Sequence, residues 1–336
     1  MDANHLAAIC ETQPSTFWIT TGGLDLEPEC LQALNHGAHQ LLGCSLDAIR
    51  FCKSQQLWTE ALRRANISTI PSCVSPACPP GHWHFKRNWP EASPSWFWQE
   101  HVAGTLGSVI FLASHTGIEL VGCSRLFTLA DWRYLGNVAD HAWPDSETRE
   151  ELLRMAGVLA GETPLRGLFG IDFMLGQRLW VLEINPRPTA SVEVLANLLG
   201  RNLYGEHVTQ CWPDQTNLPE WGIANATQQT DSPIMSSAKR IIYNSNMELK
   251  VTDAIFDRLR RLNRFQCERQ IFQLGDAGGE IRLADLPPPG TLIPAFEPIC
   301  SILFRTTTTP DPQESSVELI WEKLEKLGQS LFSDSV

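Results

Sequence analysis

Two acidic side chains near the middle of the chain are spaced so that they could share one metal ion. Asp172 and Glu183 lie in two β-like runs separated by Gly176-Gln177, and Asn185 follows two positions after Glu183. A short glycine turn between two such runs predicts a β-hairpin. If the loop has two residues, Gly170 pairs with Glu183, and Asp172 is its diagonal neighbour at roughly 7–8 Å. Mg²⁺ (or Mn²⁺) prefers hard oxygen ligands, so Asp172, Glu183 and Asn185 are the predicted metal ligands.

The opposite face of the predicted hairpin is apolar and is expected to pack in the core. With the two-residue loop, alternation places four side chains on that face: Ile171, Phe173, Trp180 and Leu182. The interpretation depends on the register, because a three-residue loop would move Asp172 and Glu183 to opposite faces. The alternative is an ordinary surface hairpin in which both acids are solvated.

An arginine between two prolines follows the second strand. Pro186 and Pro188 each fix a backbone φ angle, so the chain leaves the predicted sheet along a rigid path. Arg187 thereby lies beside the two acids, and a guanidinium group can bind phosphate oxygens through two parallel hydrogen bonds. The sequence therefore predicts a corner where a metal ion and a phosphate group meet.

The elements around this corner indicate an α/β (α+β) protein. Apolar residues at helical spacing predict helices over Pro28–His39, Ser45–Phe51, Ser54–Ala65, Ser146–Gly161, Ser191–Leu199 and Val317–Leu327. In the fourth of these the predicted apolar stripe is Leu152, Leu153, Ala156 and Leu159. Short apolar runs predict strands over 17–20, 41–43, 96–102, 108–114 and 117–123. Residues 238–305 are expected to be β-rich, and the stretch 213–234 is expected to be a linker.

The composition is that of a folded protein that does not bind nucleic acid. Of the 336 residues, 43% are hydrophobic and 19% are charged, and the net charge of −12 opposes binding to a phosphate backbone. No apolar run approaches the roughly 20 residues of a membrane helix, and the N-terminus lacks a secretory pattern. A cytoplasmic protein without a membrane partner is therefore expected, with its ten cysteines reduced and mostly structural.

The pairing of Gly170-Ile171-Asp172-Phe173 with Glu183-Ile184-Asn185-Pro186-Arg187-Pro188 resembles the C-terminal lobe of the ATP-grasp superfamily. The resemblance implies an ATP-grasp fold of two lobes that clasp ATP, with Mg²⁺ on Asp172, Glu183 and Asn185 bridging the phosphates. It also implies that Arg187 contacts phosphate and the reacting carboxylate. The implied domains are a short N-terminal α/β segment at 1–66, a small lobe at 67–135, a large lobe with the hairpin at 136–237, and a β-rich C-terminal region with a final helix at 238–336.

The same resemblance implies the remaining ATP contacts. Lys53 is similar to the lysine that opens the helix before the mobile lobe, and Lys86 is similar to the strand lysine that reaches the α- and β-phosphates. Four consecutive residues are similar to the strand that lines adenine and ribose: Gln99, Glu100, His101 and Val102. For either lysine, the alternative is an ordinary solvated charge.

The segment around Arg125 resembles a subgroup of the superfamily that includes enzymes of methanofuran- and methanopterin-type cofactor synthesis. Arg125 is expected to bind the substrate carboxylate or phosphate, with a surface arginine at a strand end as the alternative. Together these implications predict an ATP- and Mg²⁺-dependent carboxylate–amine (or carboxylate–thiol) ligase that forms an acylphosphate, with Arg187 and Arg125 as catalytic residues. Its expected partners are a small-molecule carboxylate and an amine, and a homodimer is compatible with the sequence.

One departure from the family pattern favours a different hypothesis. The family carries a glycine-rich flap after the second lysine, whereas Asn88–Ser95 contains no glycine. The protein would then bind nucleotide as a scaffold or regulator without ligase turnover. A kinase-type phosphotransferase is a third hypothesis.

Two further clusters lie between residues 73 and 98. The first is a C-x4-C-x3-H-x-H pattern made by Cys73, Cys78, His82 and His84. Zinc takes such ligands, and the alternative is a loop in which they meet by chance. The second cluster consists of tryptophans, Trp83, Trp89, Trp96 and Trp98, which suggest either a stacking wall or a partner surface.

Overall fold

The structure, a computed structural model, describes residues 12, 16–37, 39–90, 95–212, 234–244, 247–267, 272–274, 277–307 and 317–332. The chain divides into two compact units. The first comprises Met1–Cys123, Pro144–Val192 and Asn202–Ala226, and the second comprises Ser124–Trp143, Glu193–Arg201 and Thr227–Val336. Both combine helices with antiparallel sheet, so the predicted α+β fold class is confirmed.

Within the described residues the strands are β1 Thr16–Trp18, β2 His39–Leu41, β3 Ser72–Cys73, β4 Trp83–Arg87, β5 Trp96–Glu100, β6 Thr105–Ala113, β7 Ile118–Thr128, β8 Tyr134–Asp140, β9 Gly167–Leu175, β10 Leu179–Asn185, β11 Ser236–Tyr243, β12 Leu249–Lys250, β13 Phe272–Leu274, β14 Ala277–Ala284, β15 Leu292–Ile293 and β16 Pro298–Thr306. The helices are α1 Pro28–Ala33, α2 Leu46–Lys53, α3 Gln55–Arg64, α4 Ser146–Glu162, α5 Ser191–Leu199, α6 Leu203–Cys211, α7 Asp253–Cys267 and α8 Val317–Phe332.

The N-terminal part of the first unit is a small α/β arrangement. Strands β1 and β2 pair in parallel, with α1 between them in the chain. Ser45 caps α2, because its hydroxyl accepts the Ala48 N–H at 3.2 Å, at the start of the helix predicted over Ser45–Phe51. The predicted helix Pro28–His39 is wrong at its end. Helix α1 stops at Ala33, and Gly37, with a φ of +65°, turns the chain toward β2.

A three-stranded antiparallel sheet follows in the first unit, with the strand order β3-β5-β4. Its aromatic side chains pack against one another. Phe85 stacks on Trp96 with 5.8 Å between ring centroids and meets Trp98 edge-on at 5.5 Å. The Trp98 indole N–H donates to the Ser75 carbonyl at 3.0 Å, and Trp89 is buried. These contacts account for part of the tryptophan cluster as packing within this sheet, and its role as a stacking wall or a partner surface stays a prediction.

The larger sheet of the first unit has the order β10-β9-β6-β7, where β7 belongs to this unit as far as Cys123. Phe111 on β6 stacks on Phe169 on β9 with 5.0 Å between ring centroids. Helix α4 buries a stripe at helical spacing: Leu152, Met155, Ala156 and Leu159. The predicted member Leu153 is 41% exposed, because it lies about 100° around the helix from Leu152.

A buried histidine links the start of β9 to the N-terminal segment. His207 lies on α6, a helix that the sequence analysis did not predict. Its Nδ1 accepts the Leu168 N–H at 2.8 Å, and its Nε2–H donates to the Leu42 carbonyl at 3.0 Å. Burial lowers the pKa of His207 to about 4, so the ring is neutral. Gly167 has a φ of +70°, and a side chain at this position would collide with His207 and Cys211.

The second unit contains the C-terminal half of β7 and has the antiparallel strand order β7-β8-β11-β16-β14-β13. The prediction of a β-rich region over 238–305 overlooked α7. Ile255, Phe256 and Leu259 recur at helical spacing on α7 and pack in the core of this unit. Helix α8 continues five residues beyond the predicted end at Leu327, to Phe332.

Several expectations concern the chain as a whole. The predicted linker 213–234 lies outside the described residues except for Ile234. Among the helices that the structure describes, none combines the length and the apolar character needed to cross a bilayer. The cysteines whose side chains are described are free, and six of these eight are buried.

Candidate active site

The hairpin that carries the predicted metal ligands has a register different from the predicted one. Its loop has three residues, 176–178, rather than two. A β-bulge then follows at Leu182, which has no partner on β9. Because the bulge skips one residue, Glu183 pairs directly with Asp172 and not with Gly170. Both acids therefore lie on one face, as opposite neighbours and not as the predicted diagonal pair.

The apolar face of the hairpin also differs from the prediction. Its fully buried side chains are Ile171, Phe173, Val181 and Ile184. Trp180 and Leu182, which were predicted to lie on this face, are only partly buried. The three-residue loop explains the exchange, because it pairs Val181 with Phe173.

A buried glutamine holds the bulge. Gln99 on β5 is 2% exposed, and its Nε2 donates to the Leu182 carbonyl at 3.1 Å. A bulge interrupts the ladder of strand hydrogen bonds, so a buried carbonyl there needs another donor. Gln99 was predicted to contact adenine. Its contact in the structure is with the residue immediately before Glu183, and its contact with adenine or ribose stays a prediction.

Lys53 lies at the C-terminus of α2 and points into a group of oxygens. Its Nζ donates to Glu183 Oε1 at 2.6 Å and to Asn185 Oδ1 at 2.8 Å, and it lies 3.4 Å from Asp25 Oδ2. Asn185 in turn donates through Nδ2 to Asp172 Oδ2 at 3.1 Å. The Lys53 side chain is only 6% exposed, so these oxygens, rather than water, stabilise its positive charge.

Arg187 is held by an aspartate that the sequence analysis did not single out. Its Nε donates to both carboxylate oxygens of Asp25, at 2.7 and 2.6 Å. Its Nη1 donates to the carbonyls of Thr21 at 3.0 Å and Pro188 at 3.2 Å. One buried carboxylate thus stabilises two cations. We call the whole group the charge cluster: Asp25, Lys53, Asp172, Glu183, Asn185 and Arg187.

The two paired acids of the charge cluster have pKa values shifted in opposite directions. Burial, and then the adjacent Glu183 carboxylate, raises the pKa of Asp172 to about 6. Burial also opposes ionisation of Glu183, but Lys53 and Lys86 outweigh it and lower the pKa of Glu183 to about 2. At neutral pH both carboxyl groups are ionised, but the protein stabilises the ionised form of Asp172 less than that of Glu183. An additional cation at this position would relieve the repulsion between them.

A cavity of about 290 Å³ opens beside the charge cluster. Apolar side chains line much of it: Leu26, Trp58, Phe85, Phe97 and Leu182. Lys53, Lys86 and Glu183 supply charged groups, and Lys86 Nζ lies 3.9 Å from Glu183 Oε2. The Glu183 side chain keeps 42% of its surface exposed. An apolar cavity with a few charged groups suits a ligand that has a flat apolar part and an anionic part.

The other residues predicted to contact adenine do not line this cavity. The Glu100 N–H donates to the Pro71 carbonyl at 2.9 Å, and the His101 N–H donates to the His82 carbonyl at 2.8 Å. Val102 follows β5 and is partly buried. The His101 N–H, predicted to read the adenine edge, is therefore bonded within the protein.

Arg125, the second predicted catalytic residue, belongs to the second unit. It lies on β7 opposite Val138, and its guanidinium lies over the Trp143 ring, 5.4 Å from the centroid. The residues that the first unit brings together are Lys53, Lys86, Asp172, Glu183, Asn185 and Arg187. Arg125 is not one of them, and its role toward a substrate stays a prediction.

The four zinc candidates do not form a recognisable metal site in the described part of the chain. Among the residues that the structure describes, no group of three or more His, Cys, Asp or Glu side chains is arranged to hold a metal ion. His84, one of the four zinc candidates, lies with its Nε2 3.1 Å from Nδ1 of His101. Cys78 is exposed, and Cys73 lies on β3 opposite Trp98.

The glycine-free segment Asn88–Ser95 is anchored at its ends. The Asn88 N–H donates to the Ser95 carbonyl at 2.8 Å, and the Trp89 N–H donates to the Lys53 carbonyl at 3.1 Å. Its four residues from 91 to 94 lie outside the described part of the chain. The start of the segment is therefore fixed to the backbone of a charge-cluster residue.

The donor set of the charge cluster fits a magnesium ion. Asp172 and Glu183 supply carboxylates and Asn185 supplies an amide oxygen, which are the hard ligands that this ion takes. Lys53 already places one ammonium on the oxygens of Glu183 and Asn185, so these oxygens converge on a single cationic position. The residues present are therefore suited to hold the ion that the sequence predicts.

Comparison with known proteins identifies the fold. Residues 81–191, about a third of the chain, match the family model of the ATP-grasp domain. A single-chain, multi-domain long-chain acyl-CoA carboxylase is 14% identical, with a TM-score of 0.63 over 93% of this chain. The biotin carboxylase domain of Hydrogenobacter thermophilus 2-oxoglutarate carboxylase is 10% identical, with a TM-score of 0.64 over 90% of this chain. The fold is an ATP-grasp fold.

At these low identities the ATP-grasp likeness is one of fold. The H. thermophilus domain was solved as a dimer with MgADP, ADP and bicarbonate. Campylobacter jejuni biotin carboxylase, solved as a β-γ-ATP complex, is 10% identical, with a TM-score of 0.60 over 91% of this chain and 74% of its own. The present chain spans 32% of the acyl-CoA carboxylase and 72% of the H. thermophilus chain. A search of curated proteins found no match.

Sequence reasoning missed one member of the charge cluster, Asp25, and the contact of Gln99 with the Leu182 carbonyl. The partner of Asp25, Arg187, lies 162 residues away in the chain, so no local spacing connects them. Asp25 lies between Leu24 and Leu26, and the acidic Glu27 follows, so the local sequence does not distinguish it from an ordinary surface carboxylate.

Proposed function

We propose that the protein is an ATP- and Mg²⁺-dependent ligase that joins a small-molecule carboxylate to an amine. The observation that carries the proposal is the direct pairing of Asp172 with Glu183. Asn185, the last residue of β10, donates to Asp172, and Arg187 follows two residues later. The ATP-grasp fold supports it, because that fold holds adenine nucleotide in the two carboxylase structures solved with it.

The residues of the first unit have distinct proposed roles. Asp172, Glu183 and Asn185 would hold Mg²⁺ (or Mn²⁺), which when bound supplies positive charge to the phosphates. The apolar part of the cavity would take the adenosine of ATP. Lys53 and Lys86 would bind phosphate oxygens at its charged end, with Arg187 beside them.

The reaction proceeds in two steps. A carboxylate oxygen of the substrate attacks the γ-phosphorus of ATP, ADP leaves, and an acylphosphate forms. The amine nitrogen then attacks the carbonyl carbon, inorganic phosphate leaves with the C–O bond electrons, and the nitrogen loses a proton. Arg187 would stabilise the charge on the transferred phosphoryl group, and Arg125 would bind the substrate carboxylate.

The finer assignments rest on the sequence resemblance. We propose a substrate from the synthesis of C1-carrier cofactors, a cytoplasmic location and a homodimer, the last in line with the dimeric H. thermophilus domain. The division into segments 1–66, 67–135, 136–237 and 238–336 is kept as a proposal for the lobes.

A second candidate is a protein that binds nucleotide without turnover. The segment Asn88–Ser95 favours it, because it lacks the glycines whose backbone N–H groups would cover the phosphates. Its Trp89 is buried and bonded to the Lys53 carbonyl.

Turnover measurements separate these candidates. We expect Mg²⁺-dependent ATP hydrolysis that requires a carboxylate substrate, with loss of at least about 100-fold in Glu183→Ala. The control Glu60→Ala, an exposed carboxylate on α3, should retain full activity. Unchanged hydrolysis in Glu183→Ala would contradict the metal assignment. Nucleotide binding without hydrolysis across a panel of carboxylates would favour the second candidate, and a stable phosphorylated product without an amide would indicate a kinase.

A further inference from the structure

Lys53 contacts the oxygens that the proposed function assigns to a metal ion. Its Nζ lies 2.6 Å from Glu183 Oε1 and 2.8 Å from Asn185 Oδ1. A third oxygen, Asp25 Oδ2, lies 3.4 Å away. The ammonium therefore uses two of its three N–H donors on Glu183 and Asn185, and Asp25 adds an ion pair.

The backbone at Lys53 is fixed, whereas its side chain can rotate. The Lys53 carbonyl accepts the Trp89 N–H at 3.1 Å, and the N–H of Ser54 donates to the Arg50 carbonyl at 3.0 Å at the end of α2. The side chain has four flexible carbons beyond these anchors. Movement of the ammonium therefore requires rotation of one side chain and no change in the fold.

A metal ion and this ammonium would compete for the same oxygens. Mg²⁺ binds its oxygen ligands at about 2.0–2.1 Å, so an ion on Glu183 and Asn185 would lie next to the present position of Nζ. Two positive charges at such a separation repel each other strongly. We propose that Lys53 is a resident cation, which must leave Glu183 and Asn185 before the metal binds. This inference rests on the proposed function, because it takes the same residues as metal ligands.

The displaced ammonium has two acceptors within reach. Asp25 Oδ2 already lies at ion-pair distance, and Lys53 also lines the cavity where phosphate groups would lie. Arg187 stays in place, because its partners Asp25, Thr21 and Pro188 are not proposed metal ligands. A phosphate group that binds the Lys53 ammonium frees the oxygens of Glu183 and Asn185 for the metal ion. Binding of phosphate therefore favours binding of the metal, and binding of the metal favours binding of phosphate. Metal alone is then expected to bind weakly.

Titration with Mn²⁺ alone, in the absence of nucleotide, tests the displacement. The EPR signal of free Mn²⁺ is followed for the wild type, Lys53→Met and Lys86→Met. Lys53→Met is expected to bind Mn²⁺ on the order of tenfold more tightly, because it removes a charge and frees two ligands. Lys86→Met removes a charge 3.9 Å from the other Glu183 oxygen without freeing a ligand, and should change the affinity by less than about threefold. Lys53→Arg keeps the charge and should bind Mn²⁺ as weakly as the wild type.

Two results would overturn the inference. One is a folded Lys53→Met, or Lys53→Gln if the first variant does not fold, that binds Mn²⁺ no more tightly than the wild type. The other is a tight site that survives the additional change Glu183→Ala, because the metal would then lie elsewhere. Failure of the proposed function is a separate observation, namely turnover that Glu183→Ala leaves unchanged.

Discussion

Strand β9 makes polar contacts near both of its ends, and the two contacts differ in charge. One joins neutral groups, and the other places two carboxylates side by side. At the start of β9, the Leu168 N–H donates to His207, and the other ring nitrogen of His207 donates to the Leu42 carbonyl, so the contact joins neutral groups that have hydrogen-bond partners. Toward its end, Asp172 lies directly opposite Glu183, and repulsion between the two carboxylates remains although lysines are close.

The difference separates a structural contact from the proposed binding site. Around His207 the protein lowers its free energy by completing hydrogen bonds between neutral groups. In the charge cluster it keeps two carboxylates adjacent, an arrangement that a bound cation would stabilise further. Stability is commonly lost at such sites in exchange for function. Changes at the first contact should therefore destabilise the protein, whereas neutralising Asp172 should stabilise it.

The largest effect is expected for Gly167→Ala. Its φ of +70° disfavours any side chain, and the added methyl group would collide with His207 and Cys211. We expect a loss of about 3 kcal/mol in the free energy of unfolding, measured by urea denaturation. Gly37→Ala is the matched control, because Gly37 has a φ of +65° and open space around it, and should lose only about 1 kcal/mol. Equal losses would contradict crowding against His207.

The pH dependence of stability should reveal both contacts, with opposite signs. The pKa of His207 is about 4, below its value of 6.5 in the unfolded chain, so the unfolded state binds the proton first. The stability that neutral His207 contributes is therefore lost as the pH falls from about 6.5 to about 4, and the free energy of unfolding falls by about 3 kcal/mol in total. The pKa of Asp172 is about 6, above its unfolded value of 3.8, so its protonation raises stability as the pH falls through this window.

Two variants separate these contributions in urea denaturation between pH 4 and pH 7. His207→Gln removes the loss on acidification, and the gain from Asp172 should then become visible. Asp172→Asn removes the gain, so the loss on acidification should become steeper than in the wild type. The comparison fails if either variant leaves the slope of stability against pH unchanged.

A smaller effect is expected for Gln99→Met, which keeps the length of the side chain and removes its N–H donors. The Leu182 carbonyl then loses its partner, and the free energy of unfolding should fall by about 1–2 kcal/mol. Because the bulge positions Glu183, the affinity for Mn²⁺ should fall as well. The control Gln56→Met, at an exposed position of α3, should change neither quantity by more than about 0.5 kcal/mol. Unaltered metal affinity in Gln99→Met would show that the bulge holds its shape unaided.

The smallest effect is expected for Asp172→Asn at neutral pH. Removing one of two adjacent carboxylates should raise the free energy of unfolding by about 1 kcal/mol while abolishing Mg²⁺-dependent turnover. Asp257→Asn, an exposed position on α7, serves as the control and should stay within about 0.5 kcal/mol of the wild type. A loss of stability in Asp172→Asn would mean that both ends of β9 are structural contacts.

Much of the first unit could be predicted from the sequence, because its signals are local. The start of helix α2 at Ser45, helix α4 and the existence of the hairpin follow from residues a few positions apart. The fold class followed from the helix and strand patterns, and the resemblance to the ATP-grasp fold followed from the paired motifs around Asp172 and Glu183. The order of strands in the sheets carries no such local signal, since it depends on contacts between distant segments.

The details that failed depend on long-range contacts. The ion pair between Asp25 and Arg187 joins segments 162 residues apart. The Leu182 carbonyl at the bulge accepts a hydrogen bond from Gln99, which lies on a strand of another sheet, so no turn rule for the hairpin could foresee this contact. Helix α7 is a different case, because its apolar spacing at Ile255, Phe256 and Leu259 was readable and was overlooked.

Successive side chains in a strand alternate between the two faces of the sheet, so a register shift of one residue moves a side chain to the other face. The hairpin contains two such shifts, and they cancel. The three-residue loop adds one residue to the count between Asp172 and Glu183, and the bulge at Leu182 removes one from the ladder. Either shift alone would turn Glu183 toward Ile171 and Phe173 and bury a carboxylate among apolar groups. With the present three-residue loop, the direct pairing of Asp172 with Glu183 therefore requires the bulge, and the loss of either feature alone would place the two acids on opposite faces.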